Sequence, residues 1–116
     1  MRDLTEDAFH REIVVGRAAA IVEFWAPWCP FSRLVRPKLA RLAERYGNRL
    51  MVARVDVERH PAIVQAVGVE YIPALVLFRG GRPVRRLYGD RQVAELVARV
   101  ERSHLLVETP CTVQEC

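Results

Sequence analysis

The run Ala18-Ala19-Ala20-Ile21-Val22-Glu23-Phe24-Trp25 constrains the fold more than any other stretch of the chain. It is apolar almost throughout rather than alternating, the pattern of a strand covered on both faces. It is far too short to cross a bilayer, and Glu23 interrupts it. A strand buried on both sides needs helices above and below it.

The flanking segments supply those helices. Thr5 is placed to cap a first helix, with Glu6 and Asp7 in its first turn, that runs to Val15 and ends near Gly16. After Trp25 a long helix is expected from Pro30 to Tyr46, with Leu34, Leu39, Leu42 and Ala43 at helical spacing and Gly47 as its stop. Pro37 falls inside it and should remove one backbone bond. Leu50 to Val57 reads as a second buried strand, and His60 to Val67 as a short helix closed by Gly68. Ala74 to Phe78 is a third strand, which Gly80-Gly81 turns into Val84 to Tyr88. Asp90 should cap a last helix whose apolar face is Val93, Leu96, Val97 and Val100. Strands alternating with helices imply a parallel pair, and the late hairpin adds antiparallel strands. The expected fold class is α/β, a central mixed sheet with helices on both faces. Residues 1–106 form one domain, and 107–116, with no clear period, form a C-terminal tail.

Composition narrows the function. Of 116 residues 51% are hydrophobic and 28% charged, an ordinary globular balance long enough for one core. The net charge of +4 is carried by arginine, Lys38 being the sole lysine. These arginines are scattered and interleaved with acids, which argues against nucleic-acid binding. The first residues, Met1 to Asp7, hold no hydrophobic signal core, and no run suits a membrane. A cytoplasmic protein is expected.

Three cysteines cannot all pair within one chain. Cys111 and Cys116 lie in the tail, while Cys29 stands alone between the first strand and the long helix. No spacing resembles a zinc site, so no metal is expected. A thiol at a helix N-terminus meets unsatisfied N–H groups and the positive end of the dipole. Both favour thiolate, the species that attacks disulfides. Glu23 is the second conspicuous residue, because a carboxylate inside a doubly covered strand is costly unless paired or neutral. Arg54, on the next strand, offers an ion pair that would hold Glu23 charged.

Several stretches carry a family resemblance in order and at family spacing. They are Val22 to Cys29, then Pro37, then Val52-Ala53-Arg54-Val55-Asp56-Val57, then Gly68-Val69-Glu70-Tyr71-Ile72-Pro73, and the strand-turn-strand ending at Gly89. Over nearly its whole length the chain resembles the thioredoxin family. The resemblance implies a thioredoxin fold, no cofactor, and Cys29 as the nucleophile that forms a mixed disulfide with a protein substrate. It implies a cis peptide between Ile72 and Pro73 beside Cys29, with backbone open to an incoming peptide strand. Trp28, Pro30, Ile72, Pro73 and Gly89 match the substrate-seating rim, and Glu23 matches the acid that moves the resolving thiol's proton. Partners implied are proteins with disulfides and a thioredoxin reductase or other thiol donor.

Ser32 departs from that pattern, because thioredoxins carry a second cysteine there. A hydroxyl forms no disulfide, so the two-thiol cycle should stall after the first attack. Three readings stay open: Ser32 replaces a native cysteine as a trap; the protein is natively monothiol, resolved by glutathione or another thiol; or Cys111 or Cys116 resolves the intermediate. Two wider alternatives also stand. Cys29-Pro30-Phe31-Ser32 resembles the Cys-Gly-Phe-Ser site of monothiol glutaredoxins, which bind glutathione and a [2Fe–2S] cluster, although the Trp-Ala-Pro-Trp lead-in is thioredoxin-like. The other is a non-catalytic module that binds proteins through the Trp28/Pro73 groove.

Overall fold

The computed structural model describes residues 1–102, with backbone only for the last three of these. The expected domain end at 106, the tail, Cys111 and Cys116 lie outside the described residues, as does the side chain of Val100.

Five strands form one mixed sheet in the order β1-β3-β2-β4-β5. They are β1 (Arg2–Asp3), β2 (Ala20–Trp25), β3 (Met51–Asp56), β4 (Ala74–Arg79) and β5 (Arg82–Tyr88). The first three run parallel to one another, while β4 is antiparallel to both β2 and β5. The helices are α1 (Glu6–Ala8), continued by a wider-wound segment Phe9–Val15, α2 (Phe31–Tyr46), α3 (Pro61–Val67) and α4 (Gly89–Arg102).

The central strand β2 is buried on both faces, and its alternation sorts the core into two layers. Val22 and Phe24 join Leu4, Phe9, Ile13, Val55, Ile63 and Phe78 on the side covered by the first helical segment and α3. Ile21 joins Val35, Leu39, Leu42, Leu75, Leu77, Val93 and Val97 on the side covered by α2 and α4. Each fully buried side chain of this size removes enough apolar surface to contribute about 1.5–3 kcal/mol. Period two places Glu23 on the α2/α4 side, flanked in register by Arg54 of β3 and Leu75 of β4.

Local chemistry sets the element ends. Thr5 Oγ1 accepts the Ala8 N–H at 3.1 Å, as its capping position required. Beyond Ala8 the winding loosens, and the Gly16 N–H reaches the Arg11 carbonyl five residues back at 3.0 Å. Gly68 closes α3 in the left-handed conformation. In the β4–β5 turn Gly81 has φ +83°, and a Cβ there would stand 2.7 Å from the Val14 carbonyl oxygen. Only glycine fits that turn against the end of the first helical segment.

Two expectations are corrected, and one strand was not foreseen. Leu34 does not face the core but is 70% exposed, because the buried stripe of α2 is Ser32, Val35, Leu39, Leu42 and Tyr46. Asp90 lies in the first turn of α4, which begins at Gly89, rather than ahead of it. The strand β1 carried no apolar pattern, yet it pairs along the free edge of β3, anchored by buried Leu4.

Candidate active site at the end of the central strands

The loop Ala26–Pro30 leaves the end of β2 and turns directly into α2. The Cys29 N–H donates to the Ala26 carbonyl at 3.0 Å, and the Cys29 carbonyl accepts the Ser32 N–H at 3.3 Å. Pro30 occupies the cap position with φ −67°, already helical and without a side-chain cap. Cys29 therefore stands one residue ahead of the cap and keeps 6% of its surface exposed. Trp28 beside it is 63% exposed, and its indole N–H donates to Glu58 Oε2 at 2.9 Å. Glu58 is in turn positioned by its backbone N–H on Asp56 Oδ1 at 2.9 Å.

The register brings the second group of rim residues to this same end of the sheet. Phe24 of β2 lies opposite Ala74, and Ala74 opposite Tyr88. The residues just beyond those pairs are Ile72 and Pro73 on one side and Gly89 on the other, and the Gly89 N–H donates to the Pro73 carbonyl at 3.0 Å. The Ile72–Pro73 peptide is cis. Pro73 is buried, Ile72 half-buried and Gly89 exposed.

Glu23 and Ser32 meet beneath the loop. Glu23 is fully buried, and neither of its oxygens nor Ser32 Oγ has a hydrogen-bond partner. The Ser32 hydroxyl is near enough to favour the charged carboxylate, although the geometry falls short of a formed bond. The expected Glu23–Arg54 ion pair does not form. Arg54 faces Glu23 in register, but its Nε donates to Asp3 Oδ1 at 2.6 Å, and its guanidinium lies 4.3 Å from the Trp25 ring centre. Asp3 is the register partner of Arg54 on the other side and is exposed, so its charge needs no desolvation to pair. Burial consequently dominates at Glu23 and pushes its carboxyl up to about 7, against the lowering pull of Arg54, Ser32 and Arg36. The carboxyl can take or give a proton near neutrality.

Trp25 is half-buried, with the guanidinium groups of Arg54 and Arg36 over its ring, 4.3 and 5.5 Å from the ring centre. Glu58 and the Asp3 diversion were missed in the sequence. An acid two residues past the end of β3 was the available signal for the first, and nothing in Arg2-Asp3 signalled the second. Among the described residues no three of His, Cys, Asp and Glu gather where they could hold a metal ion. No helix among them is long and apolar enough to cross a membrane.

Comparison with known proteins agrees with this geometry. The family profile for thioredoxin matches residues 1–102. A thioredoxin of Alicyclobacillus acidocaldarius is 35% identical over 94 residues, covering 81% of this chain and 90% of that protein. A thioredoxin of Mycolicibacterium smegmatis is 35% identical over 96 residues, 81% of this chain and 86% of its own length. A bifunctional thioredoxin reductase/thioredoxin of Mycobacterium leprae is 34% identical over 95 residues, 82% of this chain but 21% of that longer protein.

Proposed function

The chain belongs to the thioredoxin family of thiol–disulfide oxidoreductases, and from that premise we propose that Cys29 is its nucleophile and that this form works through one thiol. The observation that carries the reading is the position of Cys29 at the β2–α2 junction, slightly exposed, at the sheet end where Trp28, Ile72, Pro73 and Gly89 converge.

The Cys29 thiolate attacks one sulfur of a partner's disulfide. A new S–S bond forms to Cys29, the partner's S–S bond breaks, and its second sulfur leaves as a thiolate. Trp28, Pro30, Ile72, Pro73 and Gly89 seat the partner's chain. In a two-thiol enzyme the residue at position 32 would attack Cys29 Sγ and release the substrate. Ser32 cannot, so the mixed disulfide persists until an external thiolate attacks it. Glutathione, another thiol donor or a thioredoxin reductase is the proposed source, and the fusion in the Mycobacterium leprae relative supports a reductase as partner. Glu23, titrating near neutrality below the loop, is the group to take up the proton of the attacking thiol and return it to the departing thiolate. The chemistry suits the cytoplasm, where thiols are kept reduced.

The test is reduction of insulin by dithiothreitol. The chain with Ser32 should turn over slowly, Ser32→Cys should restore turnover, and Cys29→Ala should abolish it in both backgrounds. Equal rates with Ser32 and with the Ser32→Cys variant would refute the monothiol reading. Full activity in Cys29→Ala would refute the nucleophile.

A further inference from the structure

Residues paired across adjacent strands project from the same face of a sheet. Asp3 pairs with Arg54 and Arg54 with Glu23, so β1, β3 and β2 set three charged side chains in one row on the α2/α4 side. The row runs from water into the core. The Asp3 side chain is 68% exposed, that of Arg54 is 15% exposed, and Glu23 is fully buried. A strand spacing of about 4.8 Å puts the two acids roughly 10 Å apart along the sheet, with the cation between them.

Arg54 is divided between its neighbours. Its Nε donates to Asp3 Oδ1 at 2.6 Å, while its Nη1 is buried and has no partner. Glu23 offers two buried acceptor oxygens that are equally unpartnered. An unmade donor and an unmade acceptor on one row are each costly, and together they are complementary. The Trp25 ring lies two residues along β2 from Glu23 and attracts the guanidinium, 4.3 Å from its centre, through its π face. That attraction leaves the N–H groups available to a carboxylate. The other groups facing Glu23 are Ser32 and Arg36 from α2, while β4 and α4 bring only the apolar Leu75, Val93 and Val97. Burial raises the Glu23 carboxyl; Arg54 opposes this more than Ser32 or Arg36 does, and Asp3 adds a weaker upward push.

We propose that Asp3 is a positioning residue for the proton chemistry at Glu23: it draws Arg54 outward and so keeps the buried carboxyl able to bind a proton. The inference rests on the part given to Glu23 in the thiol reading above, and adds a surface residue of β1 that governs it. Such coupling is reciprocal, so ionising Glu23 draws the cation inward and weakens its hold on Asp3.

The experiment follows the Glu23 carboxyl by NMR in the reduced full chain, prepared with carboxyl-labelled glutamate and assigned by the signal lost in Glu23→Gln. Asp3→Ala releases Arg54 to the buried carboxylate and should move the titration down by about one pH unit or more. Asp3→Glu, which keeps an acceptor for Arg54, should restore most of it. In an Arg54→Met background, Asp3→Ala should shift the titration by no more than about a few tenths of a pH unit, the direct effect of one exposed charge. A merely loosened strand would admit water to Glu23 with or without the cation, and so would shift both backgrounds alike. The pH profile of mixed-disulfide formation between Cys29 and hydroxyethyl disulfide should move with the titration. An unmoved titration in Asp3→Ala, or an equal shift in the Arg54→Met background, would overturn the proposal and leave Cys29 as the nucleophile. A titration that moves while the rate profile does not would remove Glu23, and Asp3 with it, from the proton chemistry. No adduct at Cys29 in any of these proteins would overturn the thiol reading and the positioning role with it.

Discussion

Replacing Glu23 by glutamine removes a buried charge that the fold tolerates poorly above neutral pH. The carboxyl is fully buried without a hydrogen-bond partner, and its proton is held up to about 7 instead of the ordinary 4.5. An acid whose folded value is raised favours the folded state while it is protonated. That contribution is complete below about 4.5 and lost as pH rises through about 7. At 1.36 kcal/mol per tenfold change in proton affinity, the loss approaches about 3 kcal/mol. This is a large share of the 5–15 kcal/mol typical of a small domain. Glutamine keeps the shape and does not titrate. Urea unfolding of both proteins, followed by the fluorescence of Trp25 and Trp28, gives the stability difference at each pH from about 4.5 to about 8.5. The difference, glutamine variant minus native, should rise by about 3 kcal/mol across that range, climbing between about 4.5 and about 7 and levelling off above the folded value. Other titrating groups are common to the two proteins and cancel in the subtraction. A difference that stays flat with pH would show that Glu23 is already ionised in the fold, compensated by Arg54 or by internal water, and the argument from burial would fail.

The groups that oppose burial can be tested by the same subtraction. Ser32→Ala and Arg54→Met each remove an influence that lowers the Glu23 proton affinity, so each should move the stability loss to higher pH; a shift to lower pH would contradict the assignment. Gly81→Ala forces a Cβ to 2.7 Å from the Val14 carbonyl at φ +83°, and should lower stability by about 1–3 kcal/mol; an unchanged melting temperature would refute the close approach. Phe9→Ala empties a buried site edge-on to Phe78, ring centres 5.6 Å apart, at an expected loss of about 3–5 kcal/mol. Leu34→Gln, on the exposed face of α2, should change stability by no more than about 0.5 kcal/mol in the same denaturation assay.

The central strands were legible because each is a short apolar run bounded by Gly, Pro or charged residues, and burial on both faces leaves few alternatives to a strand. What escaped the sequence depends on partners distant in the chain. Arg2-Asp3 has no strand pattern; it becomes β1 because β3 leaves an edge open and Leu4 anchors the segment into the core. That unforeseen strand then decides the fate of Arg54. The facing of Glu23 and Arg54 was foreseeable from two aligned strands, but Asp3 stands on the other side of Arg54 and takes its Nε. The α2 stripe was misread at Leu34 because its first buried member is a serine, and apolarity alone points one position away from the true face. At the candidate site, Cys29, Ile72-Pro73 and Gly89 were readable as local motifs.

The margins of the sheet bear on how this molecule behaves in a crowd. One margin is two residues long, and the other carries Pro83, which has no N–H to offer, beside a register shift between Leu77 and Phe78. Short, kinked or proline-bearing borders are poor templates for stacking one copy onto the next. Resistance to ribbon-like aggregation is thereby written into the periphery.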